Sequence, residues 1–165
     1  MKKLGILFVS ILIISCASRP YIRQFRLADD TNMYFFPAST WSGGDVIAKA
    51  DFNFKSNADI EIICNISITQ KASMPKGISS LVFISDLREY PLSDVQILLV
   101  DSKTNTVRIT SLLGHDDFLA MMKSNEVVLQ ITMDEMKYEC IPDADFSILK
   151  TEFQNTYFAM ENILK

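Results

Sequence analysis

The sequence predicts a mainly β protein of the α+β kind: an antiparallel β-sandwich or bent antiparallel sheet, with a short helix and a C-terminal amphipathic helix. Three observations predict it. Apolar and polar residues alternate with a period of two over several successive runs, turn-forming residues separate those runs at short intervals, and beyond Pro142 the apolar period lengthens to three or four residues.

The first strand, Asn32 to Trp41, is rich in aromatic residues and ends at Ser42-Gly43-Gly44-Asp45, where paired glycines permit the positive φ of a tight reversal. In the next run Val46, Ala48, Ala50, Phe52 and Phe54 oppose Lys49, Asp51, Asn53 and Lys55, which is the signature of a half-buried strand. Ser56-Asn57-Ala58-Asp59 then turns the chain into Ile60, Ile62, Cys64, Ile66 and Ile68, completing a three-stranded meander. Ser79 to Ser85 and Asp94 to Val100 are apolar strands on either side of a loop containing Pro91. The turn Asp101 to Asn105 leads from the second of these into Thr106 to Leu112, a further hairpin.

Gly114 closes that strand, and Asp116 or Asp117 caps a short helix carrying Phe118, Met121 and Met122. Alternation resumes from Val127 to Met133, turns at Asp134-Glu135 and continues from Lys137 to Ile141. After Pro142, Asp143 or Asp145 caps the last helix, whose apolar stripe is Phe146, Leu149, Phe153, Tyr157, Met160 and Leu164.

The N-terminus has a different character. Lys2 and Lys3 precede an apolar run from Leu4 to Ile14, about half the roughly 20 residues that a spanning helix requires. A basic head, a short apolar middle and the small residue Ser15 are the parts of an export signal. Ile13-Ile14-Ser15-Cys16 resembles the lipobox of bacterial lipoprotein precursors, with Ile13 where the common motif has Leu. The resemblance covers residues 1–16 and implies acylation of Cys16, cleavage before it and a stable hold on a membrane through more than one acyl chain. Ala17, by the same resemblance, favours the outer membrane, facing periplasm or exterior. The predicted organisation is therefore a signal peptide (1–15), a lipidated N-terminus and tether (16–31) and one β-rich domain (32–165), of a size that a single core stabilises.

Cleavage leaves 14 basic and 20 acidic residues. Arg19, Arg23 and Arg26 gather near the lipid site, where they either attract anionic lipid or belong to a solvated linker; residues 27–165 carry −9. So acidic a body without a basic cluster excludes nucleic acid as a partner, since neutralising phosphates needs concentrated positive charge.

Chemistry-bearing patterns are sparse. The chain has no nucleophile elbow, phosphate loop or zinc spacing, and its one histidine, His115, reads as a polar residue at a helix start. The acidic pairs Asp29-Asp30, Asp116-Asp117 and Asp134-Glu135 lack calcium-loop spacing and read as turns and caps. We therefore expect no enzyme, metal or cofactor. Cys64 and Cys140 either form a disulfide in an oxidising envelope or pack reduced as small hydrophobes. Tyr34, Phe36 and Trp41, beside the Gly43-Gly44 turn, form the candidate interaction patch. The expected function is a membrane-anchored, non-enzymatic structural, assembly or protein-binding module. The alternative is a carrier of a small apolar or lipid ligand in a pocket lined by Met and Phe between the last helix and the sheet.

Overall fold

The computed structural model describes residues 19–55 and 62–163, in which the expected alternation becomes one antiparallel sheet of ten strands with two helices. The chain is mainly β, and of the two arrangements predicted it is the curled single sheet that forms. The signal sequence and lipobox through Cys16, the Ser56–Asp59 turn with Ile60, the Met160 side chain and Leu164 lie outside the described residues.

In chain order the strands are β1 (Arg23–Arg26), β2 (Asn32–Gly43), β3 (Val46–Lys55), β4 (Ile62–Gln70), β5 (Ile78–Ser85), β6 (Arg88–Pro91), β7 (Ser93–Asp101), β8 (Thr106–Leu113), β9 (Val128–Met133) and β10 (Met136–Pro142). Helix α1 (His115–Lys123) precedes β9, and α2 (Ala144–Ile163) ends the described chain. Across the sheet the order is β6-β5-β9-β10-β2-β3-β4-β8-β7, with β1 also on β2. The two halves meet where Ile141 and Pro142 of β10 pair with Ser42 and Trp41 of β2. The end strands of this order, β6 and β7, are joined along the chain by Leu92 alone, so the sheet curls until its two margins are neighbours. Leu92 is buried and donates its N–H to Leu81 O at 2.9 Å.

Strand β2 shows how sequence sets the inside. Phe36 pairs with Phe52 and Ser39 with Ala50, so one extra residue is inserted at Pro37-Ala38. Such a bulge reverses the alternation. Tyr34 and Phe36 before it and Ser39 and Trp41 after it therefore all point inward, although their numbers change parity. Proline suits the bulge, because β1 pairs only residues 32–35 of this edge and β10 only 41–42, leaving no strand to demand its missing N–H.

Inside the curl, Phe36 packs edge-on to Phe118 and against Phe153, while Trp41 lies between Phe83 and Phe146. The helices supply Phe118, Met121, Met122, Phe146, Leu149 and Phe153 to this core. Of the two aspartates proposed to cap α2, Asp143 does so: Phe146 N–H donates to its Oδ1 at 3.2 Å. Its Oδ2 accepts the Thr40 N–H at 3.1 Å, and its own N–H donates to Thr40 O at 2.8 Å. One residue thus ties the helix start to the middle of β2. Further along α2, Gln154 donates to Met122 O at 2.6 Å and Lys150 to Ser124 O, so both side chains satisfy carbonyls at the end of α1.

The expected boundary between tether and domain moves toward the N-terminus. Arg23–Arg26, which lack apolar alternation, are held as β1 by main-chain pairing with β2, and Ile22 N–H donates to Glu152 Oε2 on α2 at 3.3 Å. The Pro91 loop is likewise ordered as β6.

Candidate functional site

The proposed patch of Tyr34, Phe36 and Trp41 is not a surface. Their exposures are 4%, 2% and 0%, because plain alternation sets Tyr34 and Phe36 inward and the bulge brings Trp41 to the same side. Tyr34 stacks on Phe54 with ring centroids 4.9 Å apart, and burial raises its hydroxyl pKa. The Trp41 indole N–H donates to Ser39 Oγ at 3.0 Å, which satisfies its one polar atom without water.

Cys64 and Cys140 are both buried and both free thiols. They sit on β4 and β10, with β2 and β3 between them in the sheet, so of the two alternatives the structure has reduced packing in two separate places. Burial pushes the Cys140 thiol up to about 11 and the Cys64 thiol higher still, with the nearby Asp51 carboxylate adding to the latter. Both are neutral small hydrophobes at physiological pH.

The three acidic pairs fall at structural joints. Asp29 Oδ1 accepts both the N–H and the hydroxyl of Thr31, which holds its carboxyl below the usual range, and Asp30 takes a positive φ beside it. Asp134 and Glu135 form the positive-φ turn between β9 and β10, and Asp116 and Asp117 lie in the first turn of α1. His115 begins that helix, with Tyr157 Oη 3.5 Å from its Nε2. Among the described residues no three His, Cys, Asp or Glu side chains gather as a metal site.

The prominent surface feature lies elsewhere, on β7. Every residue from Ser93 to Val100 is exposed, with Ile97 at 64%, Leu98 at 55%, Leu99 at 57% and Val100 at 55%. A continuous apolar run ordinarily marks a strand covered on both faces. Here it ends the sheet order, so among the described residues one edge of its backbone has no pairing strand.

The geometry follows from β8. Val107 and Ile109 of β8 are buried, yet their partners across the ladder, Val100 and Ile97, are open; the cover of the inner face stops one strand short. Two register irregularities, between Ser93 and Gln96 and between Ile97 and Leu99, break the alternation, the first containing Asp94 at φ 51°. Bulges are a common way of blunting an edge against indiscriminate pairing.

The support beneath β7 is firm. Asp101 Oδ1 accepts the Lys103 N–H at 2.9 Å and its Oδ2 the Thr104 hydroxyl at 2.9 Å, fixing the turn into β8. On the outer face Arg108 donates to Asp51 Oδ2 and to Ser67 Oγ, each at 3.2 Å, joining β8 to β3 and β4. The result is an apolar ribbon on a rigid frame, with an open backbone edge.

Two surface grooves flank α2. One, of about 630 Å3, lies between Arg19–Tyr21 and the helix face at Ile148 and Glu152. The other, of about 350 Å3, surrounds Lys150, whose pKa is lowered by burial and whose amine is already engaged by the α1 end. Between α2 and the β1-β2 corner, where Ile22, Tyr34, Phe153 and Tyr157 meet, a pocket of only about 40 Å3 remains.

No family model, curated protein or solved structure matches the chain. Its class is therefore defined by its own architecture: a mainly β domain of one curled antiparallel sheet, with an uncovered apolar strand at its margin.

Proposed function

We propose that this chain is a lipid-anchored envelope protein that acts without catalysis, as a structural or assembly module holding a protein partner at the free edge of β7. The observation that carries the reading is the run Ile97–Val100, each residue more than half exposed on a strand whose outer edge pairs with no described strand. Strand addition supplies main-chain hydrogen bonds for affinity and side-chain contacts for specificity.

With Val95, the exposed fractions amount to between two and three whole side chains. At about 1.5–3 kcal/mol each, their burial yields roughly 4–8 kcal/mol before the costs of association. The costs of association offset most of that gain, so the net affinity depends on the main-chain hydrogen bonds that strand addition supplies.

The anchor reading rests on the basic head, short apolar run and Ser15-Cys16 junction of the sequence. The carrier alternative is less well supported, because Phe146, Leu149 and Phe153 fill the inner side of α2, and the spaces described beside it are surface grooves and a corner pocket of about 40 Å3.

A photo-crosslinking residue placed at Leu98 in intact envelopes, compared with one at exposed Lys137, tests the partner. A discrete adduct from position 98 and none from position 137 is expected; no adduct at 98, or identical adducts at both, refutes the reading. Mass spectrometry of the native N-terminus tests the anchor separately, and an unmodified Cys16 refutes that part.

A further inference from the structure

We infer that the segment docking on β7 is an extended strand with a short apolar run at successive positions, flanked at both ends by Lys or Arg. The inference rests on the strand-edge reading and adds the partner's chemistry to it.

The apolar requirement comes from the absence of alternation. Ile97 and Val100 share the side of the inward-facing β8 residues, Leu99 shares the side of Arg108, and all of them are open. A segment with one apolar and one polar face would leave one side of β7 in water. Covering both calls for apolar residues in succession.

The basic flanks come from charge. Asp94 and Asp101 bracket the apolar run, about 20 Å apart at the rise of a strand. Asp101 is held as a carboxylate by the Lys103 N–H and the Thr104 hydroxyl, which keep its pKa below the usual range. Nearby Arg108 is engaged by Asp51, and Lys103 lies in the turn itself, its main-chain N–H given to Asp101 and its side chain past the end of the strand.

The same pattern disfavours a second copy of this chain. Overlaying two β7 runs antiparallel, apolar on apolar, brings Asp94 of one chain to Asp101 of the other. It also brings together two bodies that each carry −9 over residues 27–165. A basic-flanked strand replaces both repulsions with attractions. Parallel placement serves as well, since both ends of β7 are acidic.

The test uses full-length protein in nanodiscs of zwitterionic lipid, with empty nanodiscs as the blank. Three fluorescent octapeptides share a central run of Val and Ile and carry Lys, Ser or Glu at both ends. By anisotropy in low salt, the Lys peptide is expected to bind about fivefold more tightly than the Ser peptide, and the Ser peptide more tightly than the Glu peptide, as for two exposed ion pairs. High salt and the double variant D94N/D101N should both collapse that order, while Leu98→Lys or Ile97→Thr should weaken all three peptides. Equal binding of the three overturns the basic-flank inference and leaves the strand-edge reading standing. Binding of none removes both. A protein dimer that Leu98→Lys dissolves identifies a second copy as the occupant and overturns the inference.

Discussion

Gly43 provides a sharp test of how the two halves of the sheet are joined. A Cβ built there would lie 2.2 Å from Glu139 O and 2.8 Å from Glu139 C, both main-chain atoms of β10. No side-chain rotation relieves such a clash, so in Gly43→Ala the β10 strand must move off β2 at their short junction of Ser42–Ile141 and Trp41–Pro142. Overpacking of this kind costs about 1–3 kcal/mol, which for a domain of this size lowers the Tm by roughly 3–10 °C. The neighbour Gly44 is a built-in contrast: nothing lies within 4 Å of its Cβ position, but its φ is +61°. Gly44→Ala should cost about 1 kcal/mol through backbone strain alone. Asn tolerates positive φ, so Gly44→Asn should recover most of that loss, whereas Gly43→Asn should be at least as damaging as Gly43→Ala. Thermal unfolding of the four variants measures this directly. If Gly43→Ala melts within a degree of the parent, β10 does not cross β2 as closely as described.

Two further outcomes follow from one partly buried group and one fully buried group. Asp143→Ala removes both the cap of α2 and the acceptor for Thr40 N–H, so urea unfolding should show a loss of about 2 kcal/mol, with Asp143→Asn retaining most of the stability. The raised Cys140 pKa means that the unfolded thiol ionises from about pH 9 while the folded one stays protonated to about 11. Its contribution is whole below pH 9 and is lost as pH rises toward 11, at about 1.4 kcal/mol per pH unit, and Cys140→Ala should flatten that slope. Unchanged pH dependence in the variant contradicts the assignment.

Much of the fold is legible in the sequence because half-buried strands announce themselves. The alternations of β3, β4 and β9 match their burial position by position, and that of β8 does so as far as Thr110. Short strands held by main-chain pairing are not legible: Arg-Gln-Phe-Arg in β1 and Arg-Glu-Tyr-Pro in β6 carry no period to detect. The inward direction of Tyr34, Phe36 and Trp41 is not legible for a related reason. Aromatic residues at strand spacing describe a core and an interface equally well, and only the Pro37-Ala38 bulge decides that Trp41 faces in with Phe36. Conversely, Asp94 to Val100 reads as an apolar strand, and its exposure depends on its place at the end of the sheet order, which no local pattern encodes.

The way α2 closes the core governs when this chain is able to fold at all. Trp41, Phe36 and Phe54 meet their lids, Phe146 and Phe153, only from the opposite end of the polypeptide, and β2 meets β10 over the same span. Contacts so distant in sequence form late and slowly. A nascent chain that stops short of Phe146 thus has its aromatic interior open to water, and a stop codon just ahead of that residue should yield material cleared by proteases.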